Sequence, residues 1–186
     1  MVQVSLKRKM RVLFVIDRLQ DDDFGMPLHG INGLKMSRLL VEESIPFGRL
    51  IDDQAVAEAS GHPYLKRIGV ETMFLGDESF YPELLRGKRQ ALATHEDYHK
   101  AVQRYTKHLQ AVHSKCTKLH TIVLFGRSTH RLYDDAITRL EEENGHVAES
   151  FKEMAVLRLP AVHRLVRDER ISEVKAIVER LAPSKS

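Results

Sequence analysis

Five consecutive apolar residues, Val12 to Ile16, end on Asp17 and give way to a loop rich in aspartate and glycine. An unbroken apolar run of this kind suits a strand buried on both faces, the situation of a parallel sheet covered by helices on either side. Residues 70–75, Thr121–Phe125 and residues 154–159 read as three further strands. Between them the apolar residues fall at helical spacing. Leu34, Met36, Leu39 and Leu40 mark a helix over 34–43. Tyr98, Ala101, Val102, Tyr105, Leu109 and Val112 mark a long one that starts near Thr94, with Thr94 as N-cap and Asp97 three residues on. Leu132, Ala136, Ile137 and Leu140 mark another, and Ile171, Val174, Ile177, Val178 and Leu181 a last one. Strands alternating with helices predict an α/β fold of three layers, α/β/α, around a mostly parallel four-stranded sheet. Ligands of such folds sit at the carboxyl ends of the strands, here residues 17–33, 126–128 and 159–170.

The chain has 186 residues, the size of a single domain over 1–186, with residues 1–10 read as a flexible basic start. With 42% apolar and 30% charged residues it has material for one core and is not a disordered tail. No apolar run reaches the length needed to span a bilayer, and the basic start lacks the cleavage site of a signal peptide, so a cytoplasmic or nucleoid-associated protein without membrane contact is expected. Cys116 is the sole cysteine, which excludes an internal disulfide and a four-cysteine metal site; it reads as structural. A net charge of +3 and a pI near 9.0 permit nucleic acid as a partner without demanding it.

His95-Glu96-Asp97-Tyr98-His99 matches H-E-x-x-H, in which two histidines on one helix face hold zinc and the glutamate acts as base. Against a zinc hydrolase stand its position in a first helical turn and the lack of a marked third ligand. Asp21-Asp22-Asp23 reads as a solvated turn with one functional aspartate at best, since three successive carboxylates cannot all face one ion. Lys7, Arg8, Lys9 and Arg11 read as phosphate contacts or, more plainly, as a solvated terminus. The loop Phe24-Gly25-Met26-Pro27-Leu28-His29-Gly30-Ile31-Asn32-Gly33 is more informative. Its G-x4-G-x2-G spacing is neither the dinucleotide fingerprint nor a P-loop, and three glycines allow close backbone approach to a ligand.

On these residues the chain resembles the uracil-DNA glycosylase superfamily, in particular its iron–sulfur branch. There a strand ends in G-E-x-P-G-x, an acidic stretch follows, and G-x-P-F-x-G-x-x-G-x-x-L opens a helix. Residues 14–21 take the place of the first motif, and Gly25-Met26-Pro27-Leu28-His29-Gly30 through Gly33 and Leu34 that of the second. Thr121–Phe125 with Gly126-Arg127-Ser128 resembles the family's later strand and turn. Residues 157–168 resemble the region of its H-P-S motif, whose histidine falls on Leu159 if Pro160 is the motif proline, or on His163 after a short deletion.

The resemblance implies a uracil-DNA glycosylase-like fold, DNA as partner, no cofactor and no metal, since the cluster cysteines are absent. It implies Asp17 or Asp21 as the carboxylate that stabilises sugar charge or orients water, and His163 as donor to the departing base. It further implies a base pocket of Gly25, Pro27, Leu28 and Gly30, with Leu28 in place of the stacking phenylalanine. Arg127, Ser128, Arg164, Arg167 and Arg170 would serve DNA contacts, with Leu165 as a wedge in the opened duplex; a helix start with solvated arginines is the plain alternative. Two functions stay open: hydrolysis of the N-glycosidic bond of uracil or a modified base, and an inactive scaffold that binds DNA or a protein partner as a replication accessory or decoy.

Overall fold

The computed structural model describes residues 9–74, 78, 80–167 and 169–183, the side chains of Val166 and Arg167 excepted. Its sheet contains β1 (Val12–Ile16), β2 (Ile68–Thr72), β3 (Thr121–Phe125) and β4 (Ala155–Leu159) in the order β2-β1-β3-β4, every pair parallel. Phe14 lies level with Val70 on one side and Val123 on the other, and Val123 with Leu157. β1 is thus central, and all five of its residues are buried, which is why its sequence is apolar without alternation.

The alternation is nonetheless present in space. Leu13 and Val15 face a core shared with Tyr98, Tyr105 and Leu109 of α6 (Glu96–Lys115) and Leu132, Ala136 and Leu140 of α7 (Arg127–Glu153). Val12, Phe14 and Ile16 face the other core, with Met36 and Leu40 of α1 (Ile31–Leu40), Phe47 and Leu50 of α2 (Phe47–Asp52), and Val174 and Val178 of α8 (Ile171–Glu179). Phe14 stacks on Phe47 at 5.7 Å and meets Phe125 edge-on at 5.4 Å. Three layers result, as the alternating pattern predicts.

Several boundaries move. β2 begins at Ile68 rather than 70 and ends at Thr72, because Gly69 and Glu71 interrupt the apolar pattern although every residue of the strand is buried. α1 begins at Ile31, three residues before its apolar stripe. Thr94 is not the N-cap of α6: His95 is, and the Thr94 hydroxyl donates to the Ala91 carbonyl instead. The stretch between α1 and α6 contains α2, α3 (Gln54–Ala59), α4 (Tyr81–Leu85) and α5 (Arg89–Ala93), each five or six residues long and too short to show a period.

Candidate functional site

From β1 the chain leaves toward β2 by way of α1, α2 and α3 on one face, whereas from β3 it leaves toward β4 by way of α7 on the other. Connections that diverge in this way mark the carboxyl ends of β1 and β3 as the place where open α/β sheets bind ligands. Asp17 follows β1 directly. Two backbone bonds, Met73 N–H to the Ile16 carbonyl at 2.9 Å and Phe74 N–H to that of Asp17 at 2.8 Å, carry the ladder past the strands and bring α4 over this end. Its first residue, Tyr81, packs edge-on against Phe74 at 5.4 Å and donates its hydroxyl to Asp17 Oδ2 at 2.5 Å. The Arg18 N–H donates to Oδ1 at 2.8 Å, and the Arg18 guanidinium lies 4.8 Å from the centre of the Tyr81 ring. From β3's side, the buried Ser128 acts on the same phenol. Burial first, and Asp17 second, hold the Tyr81 phenol far above its usual value, against the opposing pull of Arg18 and Ser128. At neutral pH it is a fixed donor that aims the carboxylate.

Gly126, with φ +100, turns the chain from β3 into α7, a conformation that L side chains rarely adopt. Its N–H donates to the Leu159 carbonyl at 2.9 Å, and His130 Nε2 donates to that of Leu124 at 3.1 Å. Burial lowers the His130 pKa, so the ring acts as a neutral brace that fixes the first turn of α7. This turn presents Arg127 to solvent and buries Ser128. After β4, the 3-10 turn Val162–Arg167 packs beside α1. His163 and Arg164 are exposed there; His163 makes no hydrogen bond to Asp17 among the described residues. Arg170 spends its guanidinium on the Arg158 carbonyl at 2.9 Å. The Arg167 side chain lies outside the described residues, as do Lys7 and Arg8. Leu165 departs from the expectation of a wedge: it is fully buried in the core with Val162 and Val174 and cannot reach a duplex from there.

The acidic loop is built for its own support. Asp23, 1% exposed, accepts from Gln20 N–H and Gly30 N–H, both at 2.9 Å, and Asp22 accepts from the Ile31 N–H that opens α1. Asp21 is exposed and makes no hydrogen bond among the described residues. Pro27 and Leu28 are buried against α2, with Leu28 1% exposed, so the expected base-pocket pair faces the core. Gly30 is pressed against Asp22 and Gly33 against the Leu28 carbonyl, so their lack of a side chain serves packing rather than a ligand. Gly25 lies at the exposed turn. Asp23→Ala should cost about 2–3 kcal/mol, as two N–H groups lose a charged acceptor; a shift of the urea midpoint under 0.5 kcal/mol would contradict this support.

The H-E-x-x-H segment does not build a metal site. His95 stands before the helix, its ring against Phe80, and His99 Nε2 donates its proton to the Ala93 carbonyl at 2.7 Å, so that nitrogen has no lone pair for zinc. No metal-binding cluster of His, Cys, Asp and Glu is found among the described residues. Cys116 is buried, and burial pushes its thiol up, which leaves it inert.

Sequence reasoning missed Tyr81 and the exposed Phe24. The Tyr81-Pro82 pair was legible as a helix start, proline being suited to a first turn, but only the fold brings it to Asp17, 64 residues away. Among the described residues no helix is long and apolar enough to cross a membrane. No protein-family model matches the chain, and no curated protein does. In overall course the chain is similar to a solution structure from Methanosarcina acetivorans, a "putative Uracil DNA glycosylase", over 97% of this chain and 99% of the other, at 15% identity and a TM-score of 0.49.

Proposed function

We infer that the chain binds DNA across the carboxyl end of its sheet and receives one nucleotide in a crevice between β1 and β3, where Asp17 promotes hydrolysis of the N-glycosidic bond. The observation that carries this reading is the Tyr81 hydroxyl held on the Asp17 carboxylate at the switch point. In this hydrolysis the bonding pair of C1′–N leaves with the base, positive charge builds on the sugar, and water adds at C1′. The water's proton ends on the departing base. A carboxylate aimed by Tyr81 stabilises that charge without having to reorient. Arg127 and Arg164, exposed on the turns that flank the crevice, supply phosphate contacts.

Duplexes that contain uracil or another modified base should release free base on incubation with the protein. Asp17→Asn should slow release about 10²-fold or more with DNA binding retained, and Tyr81→Phe should slow it less, since it frees the carboxylate without removing it. Release at the wild-type rate by both Asp17→Asn and His163→Ala would refute Asp17 as the carboxylate and His163 as donor to the departing base. One observation favours a second reading, the inactive scaffold: Leu28 is buried, so the position that would stack on an extruded base offers it nothing. Salt-sensitive DNA binding with no base released from any substrate would decide for the scaffold.

A further inference from the structure

Phe24 is 88% exposed, and Met26 two residues on and Ile31 at the start of α1 are exposed as well, at 43% and 62%. Its backbone is in the left-handed region, φ 50 and ψ 37, which bulky side chains rarely enter. Gly25 follows at φ 82, so the chain reverses sharply, and Met26 N–H returns to the Asp23 carbonyl at 3.0 Å. This turn is braced. Asp23 ties Gln20 to Gly30 on either side of it, and Asp22 accepts from the Ile31 N–H. A strained aromatic that a rigid loop pushes into water is an observation that points to a partner.

The surroundings indicate the partner's chemistry. Ile31, Lys35 and Arg38, at i, i+4 and i+7, share one face of α1, and all three are exposed. Neither cation pairs with an acid among the described residues. Asp22 and Asp23, whose charge would oppose an anion, are turned onto backbone N–H groups, which leaves Asp21 as the acid of this loop open to solvent. Beyond the turn that carries Phe24, this face of α1 therefore runs aliphatic, cation, cation, over about 10 Å of helix at 1.5 Å per residue. A single nucleic-acid strand needs that order, with a base face on a ring and the neighbouring phosphates on cations.

We propose that Phe24 is a stacking platform for an unpaired base of a bound DNA strand, with Met26 and Ile31 as its apolar floor and Lys35 and Arg38 on the adjoining phosphates. It fills the role of exposed apolar contact that Leu165, buried, does not. The proposal rests on the reading of this end of the sheet as DNA-binding and adds a nucleotide contact outside the crevice.

The chain has no tryptophan, so F24W introduces a sole indole reporter at the platform. A labelled single-stranded oligothymidine of about ten nucleotides, titrated at low salt, should raise its anisotropy and quench the F24W emission with the same midpoint. F24N should bind about tenfold more weakly, the size of one lost stack, while its Tm stays level or rises, because asparagine tolerates the left-handed region better than phenylalanine. K35Q/R38Q should reduce the slope of log K against log salt by about 1.4, two single-strand phosphate contacts. Anisotropy that rises while F24W emission stays constant and F24N binds like wild type overturns the platform alone and leaves DNA binding intact. No anisotropy change with single-stranded or duplex DNA overturns both.

Discussion

His108→Ala should lower the unfolding free energy by about 3–5 kcal/mol, the range for removal of one partner from a buried ion pair. Glu71 is fully buried in the middle of a strand, held by the Tyr105 hydroxyl at 2.6 Å and by His108 Nε2 at 2.6 Å. Without His108 the carboxylate keeps one neutral donor and no positive charge in an apolar layer, a cost that burial makes large. Replacement of both by leucine, E71L/H108L, should recover part of the loss, because the fold then no longer desolvates two charges but leaves the Tyr105 hydroxyl without its acceptor. For His108, burial lowers the pKa but Glu71's charge and hydrogen bond outweigh it, with Lys115 opposing them, and the net direction is upward. A pKa raised on folding means stabilisation that is complete below the unfolded value, about 6.5, and lost as pH climbs through the folded value. Urea midpoints should therefore fall on going from pH 6 toward pH 9 in the wild type, and the fall should vanish in His108→Ala. Parallel curves for the two proteins would show that the pair does not act as a unit.

That pair also explains what could be read in advance and what could not. β1 and β3 were legible because burial on both faces selects apolar and β-branched residues, so Val12–Ile16 and Thr121–Phe125 announce themselves. β2 carries the same burden of burial but hides it behind Glu71, whose partners come from α6, more than thirty residues on. A local pattern cannot tell a charge solvated by water from one solvated by a distant tyrosine and histidine. The site divides likewise. Asp17 was visible as the carboxylate that ends a buried strand, whereas Tyr81 and Ser128 acquire meaning only when α4 and α7 meet above it. In the glycine loop the motif was legible and its purpose was not: the same spacing that suggests a ligand cradle here lets one backbone segment lie against another.

Gly33→Ala puts that purpose to the test and should destabilise by about 3 kcal/mol or more, at or above the upper end of the cost of overpacking. A Cβ at this position lands on the Leu28 carbonyl oxygen, a backbone atom that no rotamer change can move aside. Leu28 sits at φ +60 with its side chain in the core, and its carbonyl accepts from the Gly48 N–H at 2.9 Å. To admit a methyl group the loop must lift, which breaks that bond, pulls Leu28 from its contacts with the α2 layer, and slackens the Asp22 and Asp23 ties to residues 30 and 31. Hydrogen exchange should speed up at Gly48, Gly30 and Ile31 well before it does in β3. Gly145→Ala is the matched control: nothing lies within 4 Å of a Cβ there, its φ is not left-handed, and it opens the second half of α7, just after the break at Asn144. It should be neutral or stabilise by about 0.4–1 kcal/mol, through the smaller entropy of the unfolded chain. Equal effects of the two substitutions would mean that glycine at position 33 answers to something other than the backbone it touches.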